Sequence, residues 1–274
     1  MKSAVLAVIA ASVGFAQAGF AQVPLSQSEI RGKQVIDAAI AALGGSKFLK
    51  MEDRVESGRA YSFYREQLSG LSIAKIYTRY LNSVPPDRTG EDLAVRERQG
   101  FGKNEEYGYV LFREEGGWEV TFRGPRELAK DRLERYRDTT LRNIFYILRV
   151  RLHEPGMIFE YKGSDVVENL PVDIVDIADA QNRVVTAYFD PTTKLPVRQF
   201  IDWRDPDTRE RNEEITRFAR YREVNGIQWP HQITRERNGE KVYQIFAESV
   251  TFNNDLTDDL FAVPTGPATR VKRK

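Results

Sequence analysis

Two stretches decide the fold: VVTAYFDPTTKLPVRQFIDW at residues 184–203, and IQWPHQITRERNGEKVYQIFAESVTFNNDLTDDLFAVP at residues 227–264. Apolar and polar residues alternate along both, as they do from Val185 to Phe189. A period of two places alternate side chains on opposite faces of a β-strand. Turn signals separate the strands, and Asn238-Gly239 is typical of a two-residue hairpin turn. The two stretches therefore predict four consecutive strands in an antiparallel meander.

A second set of strand patterns lies mostly upstream of this region. Turn residues such as Ser69-Gly70 and Gly116-Gly117 separate the runs. The patterns predict strands at Arg59–Arg65, Ser72–Leu81, Leu93–Phe101, Glu106–Arg113, Trp118–Arg123, Met157–Lys162 and Val172–Ile177. Residues 202–214 mix acidic side chains with arginines, and we interpret them as a solvated hairpin loop rather than a calcium site.

Helical patterns occur in two places. A first helix is predicted from Ser28 to Leu43, capped by Ser26 or Ser28 and stopped by Gly44-Gly45. A basic segment from Pro125 to Leu152 repeats apolar residues at helical spacing. Asp138 or Thr139 could cap a second helix within it, so we predict two helices separated by a kink.

Three motifs in the final third carry a resemblance to a known family. Tyr188–Pro196 reads Y-x-D-P-x-T-x-L-P, Tyr221–Pro230 reads Y-x-x-x-x-G-I-x-x-P, and Leu256–Pro264 reads L-x-x-x-L-F-x-x-P. In this order they resemble the periplasmic proteins of the outer-membrane lipoprotein-sorting superfamily, which have the LolA-like fold. The resemblance implies a mainly β (α+β) chain. Its sheet is expected to be a curved, incomplete antiparallel β-barrel of about ten or eleven strands, with helices covering a concave apolar face that shelters acyl chains.

The N-terminus has the form of a secretory signal peptide. An apolar run from Ala4 to Phe15 follows Met1-Lys2, and small residues lead to a favoured cut after Ala21. We therefore predict a signal peptide at 1–21, a single domain at 22–264 and a basic, disordered tail at 265–274. No later stretch is long and apolar enough to span a bilayer, so an exported, periplasmic protein is expected.

Composition excludes several functions. The chain has no cysteine, which rules out disulfides, thiol catalysis and a lipid-modified cysteine after the signal peptide. Removal of Lys2 leaves forty basic and forty acidic residues from the 41 and 40 of the whole chain. A zero balance argues against general nucleic-acid binding, which depends on neutralising phosphates.

The motifs of common enzymes are missing. The sequence has no Gly-x-Ser-x-Gly elbow, no His-Glu-x-x-His helix and no Gly-rich phosphate loop. Its two histidines, His153 and His231, have no evident partner for general-base chemistry. We predict no catalytic residue, no metal site and no cofactor.

Large apolar side chains on single strand faces are the candidate ligand site. Each of them also fits an ordinary core, but several strands are apolar on both faces, which suits a curved barrel that holds a lipid. The candidates for the cavity are Tyr61, Phe63, Tyr109, Leu111, Trp118, Phe122, Phe159, Tyr161, Ile201 and Trp203. The candidates for a movable lid are Leu141, Ile144, Phe145 and Leu148, with the first helix as an alternative lid.

Three functions remain open. The first is a periplasmic carrier of lipid or of an acylated protein, with partner proteins in the inner and outer membranes. The second is a sensing module that binds a protein partner with the same fold. The third is an enzyme that uses the cavity, which the lack of an acid–base pair on one strand face disfavours.

Overall fold

The computed structural model of the chain describes residues 25–81, 93–102, 108–205 and 208–266. The predicted signal peptide and the predicted tail from residue 267 onward lie outside these ranges. No helix within the described ranges is long and apolar enough to cross a membrane.

Helix α1, Gln27–Leu43, begins and ends as its sequence predicts. The Ser26 hydroxyl accepts a hydrogen bond from the Glu29 backbone N–H, and the Glu29 carboxylate accepts one from the Ser26 N–H, which forms a capping box. Gly32 brings the helix against the sheet, because a Cβ there would lie 2.2 Å from the carbonyl oxygen of Phe159. The helix therefore packs closely on the strand that contains Phe159.

Thirteen strands form one antiparallel sheet, so the sheet is larger than the ten or eleven strands expected. The first six are β1 Asp53–Tyr64, β2 Gln67–Tyr80, β3 Val95–Phe101, β4 Gly108–Arg113, β5 Gly116–Thr121 and β6 Gly124–Glu127. The other seven are β7 Ile158–Val167, β8 Leu170–Ala178, β9 Val184–Phe189, β10 Pro196–Arg204, β11 Arg211–Val224, β12 Ile227–Arg237 and β13 Glu240–Phe252.

The sheet consists of two meanders joined at its centre. Strands β1 to β6 follow one another to one edge, and β13 back to β7 follow one another to the other edge. The two meanders meet where β1 pairs with β13, for example at Arg54 opposite Phe252. The edge strands β6 and β7 are not neighbours, so the curved sheet stays an incomplete barrel, as the resemblance implies.

The remaining helices are short and lie mainly between the meanders. They are α2 Ser46–Leu49, α3 Lys130–Leu141, α4 Ile144–Tyr146, a π-helical turn at Ile147–Arg151 and a 3₁₀ turn at Asp258–Phe261. Two helical pieces form as predicted, but the break between them falls at Arg142-Asn143 rather than at Asp138 or Thr139, because α3 continues to Leu141. Asn143 caps the second piece by accepting hydrogen bonds from the N–H groups of Phe145 and Tyr146.

Two predictions of local structure were wrong. Pro125 lies in the edge strand β6 rather than in the first turn of a helix. The charged loop predicted at 202–214 is shorter, because β10 continues to Arg204 and β11 begins at Arg211. The buried face of β11 begins with Glu214 and Thr216, and these polar residues hide the alternation that normally reveals a strand.

The hydrophobic core lies on the concave side of the sheet. Helices α1 and α4, the π-helical turn and the inward faces of β7–β13 contribute most of its buried residues. A smaller buried region lies on the other side of the sheet. There the 3₁₀ turn at Asp258–Phe261 contacts β3 and β4, and its Phe261 is fully buried. Leu111 in β4 is fully buried but lies outside the main core.

Candidate ligand-binding cavity

A cavity of about 680 Å³ lies between α3 and the concave face of the sheet. Its walls come from β1, β2, β3, β12 and β13, with one residue of β4 and the start of α4. The size falls within the roughly 300–1,000 Å³ that small-molecule sites occupy. The cavity exists because α3 is strongly polar: of its twelve residues, only Leu141 is buried.

One wall of the cavity is apolar and aromatic. It contains Ile76, Tyr80, Val95, Phe112, Tyr136, Phe145, Trp229, Ile233 and Ile245. The rings support one another: Phe112 stacks on Tyr136 with centroids 3.5 Å apart, and Phe145 packs on Trp229 at 4.7 Å. Such a rigid aromatic surface offers contact area to an apolar ligand at little entropic cost.

The inner end of the cavity holds a buried charged network. Arg54 donates to the carboxylate of Glu56 at 2.8 Å, to the hydroxyl of Tyr80 at 3.0 Å and to that of Thr78 at 3.2 Å. Its guanidinium lies 4.3 Å from the ring centroid of Trp229, whose indole N–H donates to Glu56 at 2.8 Å. Burial acts most strongly on the pKa of Arg54 and lowers it, but Glu56, Tyr80 and Glu97 together outweigh burial and leave this pKa above its ordinary value.

Glu97 continues this network. Its carboxylate accepts hydrogen bonds from the Thr78 hydroxyl, at 3.3 Å, and from the Gln99 amide. Burial raises the pKa of Glu97, although the two donors and Arg54 partly oppose that rise. The inner end is therefore polar and nearly closed to solvent, unlike the aromatic wall beside it.

The outer end of the cavity is lined by four arginines. Arg132 and Arg135 project from α3, while Arg235 and Arg237 belong to β12. Glu214 pairs with both arginines of β12, through Nε of Arg235 at 3.2 Å and Nη2 of Arg237 at 3.0 Å. Their side chains range from 19% exposed at Arg235 to 63% exposed at Arg135, and we place the mouth of the cavity at these arginines.

The structure brings two of the predicted residues together at this cavity, Tyr61 and Phe145. Phe145 is a lid candidate and Tyr61 a cavity candidate, so the site combines members of both sets. Phe63 follows Tyr61 on β1 but lies beyond the cavity, with the ammonium group of Lys241 5.2 Å from its ring centroid.

The other predicted residues lie elsewhere. Phe159, Ile201, Leu141, Ile144 and Leu148 are buried in the main core, and Tyr161 and Trp203 pack against it. Tyr109 and Leu111 occupy the face of β4 opposite to Phe112, which lines the cavity. Trp118 pairs with Leu111 and shares its face, while Phe122 is 66% exposed.

The sequence interpretation missed the charged network and the arginines. Arg54, Glu56 and Glu97 stand at alternate positions of strands, where charged residues usually mark a solvated face. The one available signal was the mixed set Ile76, Thr78 and Tyr80 on one face of β2, because such a face is neither plainly buried nor plainly exposed.

Comparison with known proteins gives likeness of structure without likeness of sequence. No protein-family model matches the chain, and neither does any curated protein. A DUF1329 family protein from Desulfovibrio piger superposes with a TM-score of 0.55 at 14% identity, over 84% of this chain and 96% of its own. A LolA superfamily protein from Nitrosomonas europaea superposes with a TM-score of 0.51 at 8% identity, over 84% and 97%.

The chain has a LolA-like fold. The resemblance found in the motifs of the final third is thus confirmed at the level of architecture. At these identities the LolA-like fold does not identify a ligand, which has to be inferred from the cavity itself.

Proposed function

We propose that the protein is an exported, periplasmic carrier that binds an acyl chain of a lipid or lipoprotein in the cavity, without covalent chemistry. The observation that supports this function is the 680 Å³ cavity with its aromatic wall, set between a LolA-like sheet and helix α3. Of the residues predicted from sequence, Tyr61 and Phe145 would contact the ligand.

The energetics suit a carrier. Exposing an acyl chain to water costs roughly 0.8 kcal/mol for each methylene, or on the order of 10 kcal/mol for a whole chain. A wall formed by Ile76, Phe112 and Trp229 offsets much of this cost. Release to an acceptor then requires that the cover can move.

Helix α3 is the proposed cover. Leu141 is its one buried residue, its N-terminal half is largely exposed, and it contacts the sheet through Tyr136, which stacks on Phe112. The ion pair that joins it to the sheet is long, since Arg132 lies 3.8 Å from Glu119 in β5 and both side chains are about half exposed. Exposed pairs of this kind contribute about 0–1 kcal/mol, so displacing α3 would cost little.

A matched pair of variants tests the proposal. Ile76→Trp places a large ring in the cavity, whereas Ile73→Trp places the same ring on the outer face of the same strand, where Ile73 is 53% exposed. Each protein is expressed with its own N-terminus, purified from the periplasm without detergent and analysed by native mass spectrometry.

The expected result is bound lipid or acylated peptide in the unmodified protein and in Ile73→Trp, with at least a tenfold loss in Ile76→Trp. Repeated recovery of empty protein that also ignores added lipid would refute the carrier function. In that case a pull-down that recovers one stoichiometric protein partner would favour the sensing module.

A further inference from the structure

The charge of the cavity is not explained by acyl binding alone. Five arginines and two glutamates line it, and both glutamates belong to the inner network with Arg54. The four remaining arginines are all at the mouth. An aromatic wall with a cationic mouth fits a molecule that has an apolar tail and a negatively charged head.

We propose that the ligand is an anionic amphiphile whose phosphate or carboxylate headgroup is bound by Arg132, Arg135, Arg235 and Arg237. This inference rests on the proposed carrier function and narrows its ligand. It favours a charged lipid over an acylated protein, whose acyl chains are attached through uncharged ester and amide groups.

The β12 side of this headgroup site is preorganised. Glu214 is 3% exposed and holds both guanidiniums, so one buried carboxylate fixes two cations and leaves one positive charge in excess. The Arg235 guanidinium lies 5.0 Å from the ring centroid of Tyr243, and that of Arg237 lies 5.7 Å from the ring centroid of Trp203. Planar guanidiniums held in this way suit bidentate recognition of phosphate or carboxylate.

The α3 side supplies adaptable charge. Arg132 and Arg135 are three residues apart, which places them on one face of the helix. Their partners Glu119 and Asp131 are exposed and distant, so a headgroup can displace them with little loss. Binding of one anion by both sides would also hold α3 over the bound tail.

The test compares probes that share one acyl chain length and differ in the head: lysophosphatidylglycerol, a free fatty acid and an uncharged monoacylglycerol. Each displaces a fluorescent acyl probe from the full-length protein, and glycerol 3-phosphate serves as the head without a tail. We expect both anionic lipids to bind at least tenfold more tightly than monoacylglycerol, and glycerol phosphate alone not to displace the probe.

Paired variants locate the effect. Arg132→Gln with Arg135→Gln should weaken lysophosphatidylglycerol binding by about fivefold for each arginine removed, and monoacylglycerol binding by less. Lys130→Gln with Arg137→Gln removes the same charge from the same helix at positions that do not line the cavity, and should leave both affinities unchanged. Circular dichroism verifies that each variant is folded.

Failure of the headgroup site and failure of the carrier function give different results. Equal affinity for charged and uncharged lipids, with no effect of the arginine substitutions, overturns the headgroup site and leaves the carrier function standing. Displacement of the probe by glycerol 3-phosphate alone identifies a free-phosphate site and overturns the proposal that the ligand is an amphiphile. Failure of every acyl probe to bind overturns the carrier function itself.

Discussion

Two parts of the concave face are covered in different ways. In the filled region, α4 and the π-helical turn bury every residue from Ile144 to Leu148. Phe145 packs on Phe218 at 4.9 Å, and the Ile144 N–H donates to the side chain of Gln199 at 3.0 Å. In the open region, α3 contacts β4 through Tyr136 and Phe112, and the cavity separates it from β1–β3.

The difference lies in the covering helix rather than in the sheet. The segment IFYIL at 144–148 has apolar or aromatic side chains at every position, whereas KDRLERYRDTTL at 130–141 is mostly charged and polar. Polar side chains cannot be buried without partners, so α3 cannot pack as closely on the sheet as α4 does. The cavity is therefore a consequence of one polar helix on an otherwise apolar face.

The largest loss of stability is expected at Arg151, which links the end of α3 to the filled region. Arg151 is buried, donates to the carbonyl of Leu141 at the end of α3, and pairs with Asp179 at 2.9 Å and Glu154 at 2.6 Å. Arg151→Met removes the donor to Glu154 and to the Leu141 carbonyl, leaves Asp179 with Arg183 alone, and should lower the free energy of unfolding by about 3–5 kcal/mol. Urea denaturation measures the loss, with Arg126→Met in β6 as the exposed control; a loss below about 1 kcal/mol would show that Arg151 is not needed to hold the two regions together.

A matched truncation tests the filled and open regions directly. Ile144→Ala should lower the free energy of unfolding by about 2–5 kcal/mol, because Ile144 is fully buried and its removal creates a cavity. Ile76→Ala only enlarges an existing cavity and should cost less than half as much. Equal losses in urea denaturation would mean that the filled and open regions are packed equally well.

Helix α1 belongs to the filled region, since it packs on β7. Ser26→Ala removes the hydroxyl half of the capping box and should lower the free energy of unfolding by about 1 kcal/mol. Gln27→Ala provides the control on the same turn, because Gln27 is exposed, whereas the Ser28 hydroxyl hydrogen-bonds the capping hydroxyl of Ser26. Acyl probe binding should be unaffected, so a large change in affinity would assign α1 to the cover as well.

The smallest expected effect is a pH dependence of stability that arises at Glu97 in the open region. Burial raises the pKa of Glu97 in the folded protein, so its stabilising contribution is present at low pH and is lost as pH rises through the folded pKa. Glu97→Gln cannot ionise and should gain stability relative to the unmodified protein as pH rises. Urea denaturation from pH 4.5 to 8, with Glu119→Gln as the baseline, measures the gain; a constant difference would contradict it.

Turn chemistry and strand alternation predicted much of the fold. The caps of α1, the hairpin at Asn238-Gly239 and the kink before α4 all follow from local rules that act within a few residues. The choice of concave face did not follow, because β4 is apolar on both sides. Phe112 faces the cavity and Leu111 faces away, where a turn near the end of the chain contacts the strand.

The charged site was harder to predict for a related reason. Arg54 and Glu97 are far apart in sequence and become partners only through Thr78 on the strand between theirs. Arg235 and Glu214 meet across a strand pair whose first member looked like a loop. A buried ion pair is decided by tertiary contacts, and its residues alone look like those of a solvated surface.

The order of the strands also governs how the chain can fold. Among the described strands, every ladder except β1–β13 joins strands that are consecutive in the chain, so each meander can form by successive hairpins. Only the β1–β13 ladder closes a loop of nearly the whole domain, and it is the natural last step of assembly. Both ends of the sheet-forming chain meet there, since the Asp53 carboxylate accepts hydrogen bonds from the N–H groups of Asn254 and Leu256. A circular permutant with linked termini, opened at the turn between β6 and α3, would keep all twelve ladders and place β13 and β1 on either side of one connection, which contains α1, instead of near opposite ends of the chain.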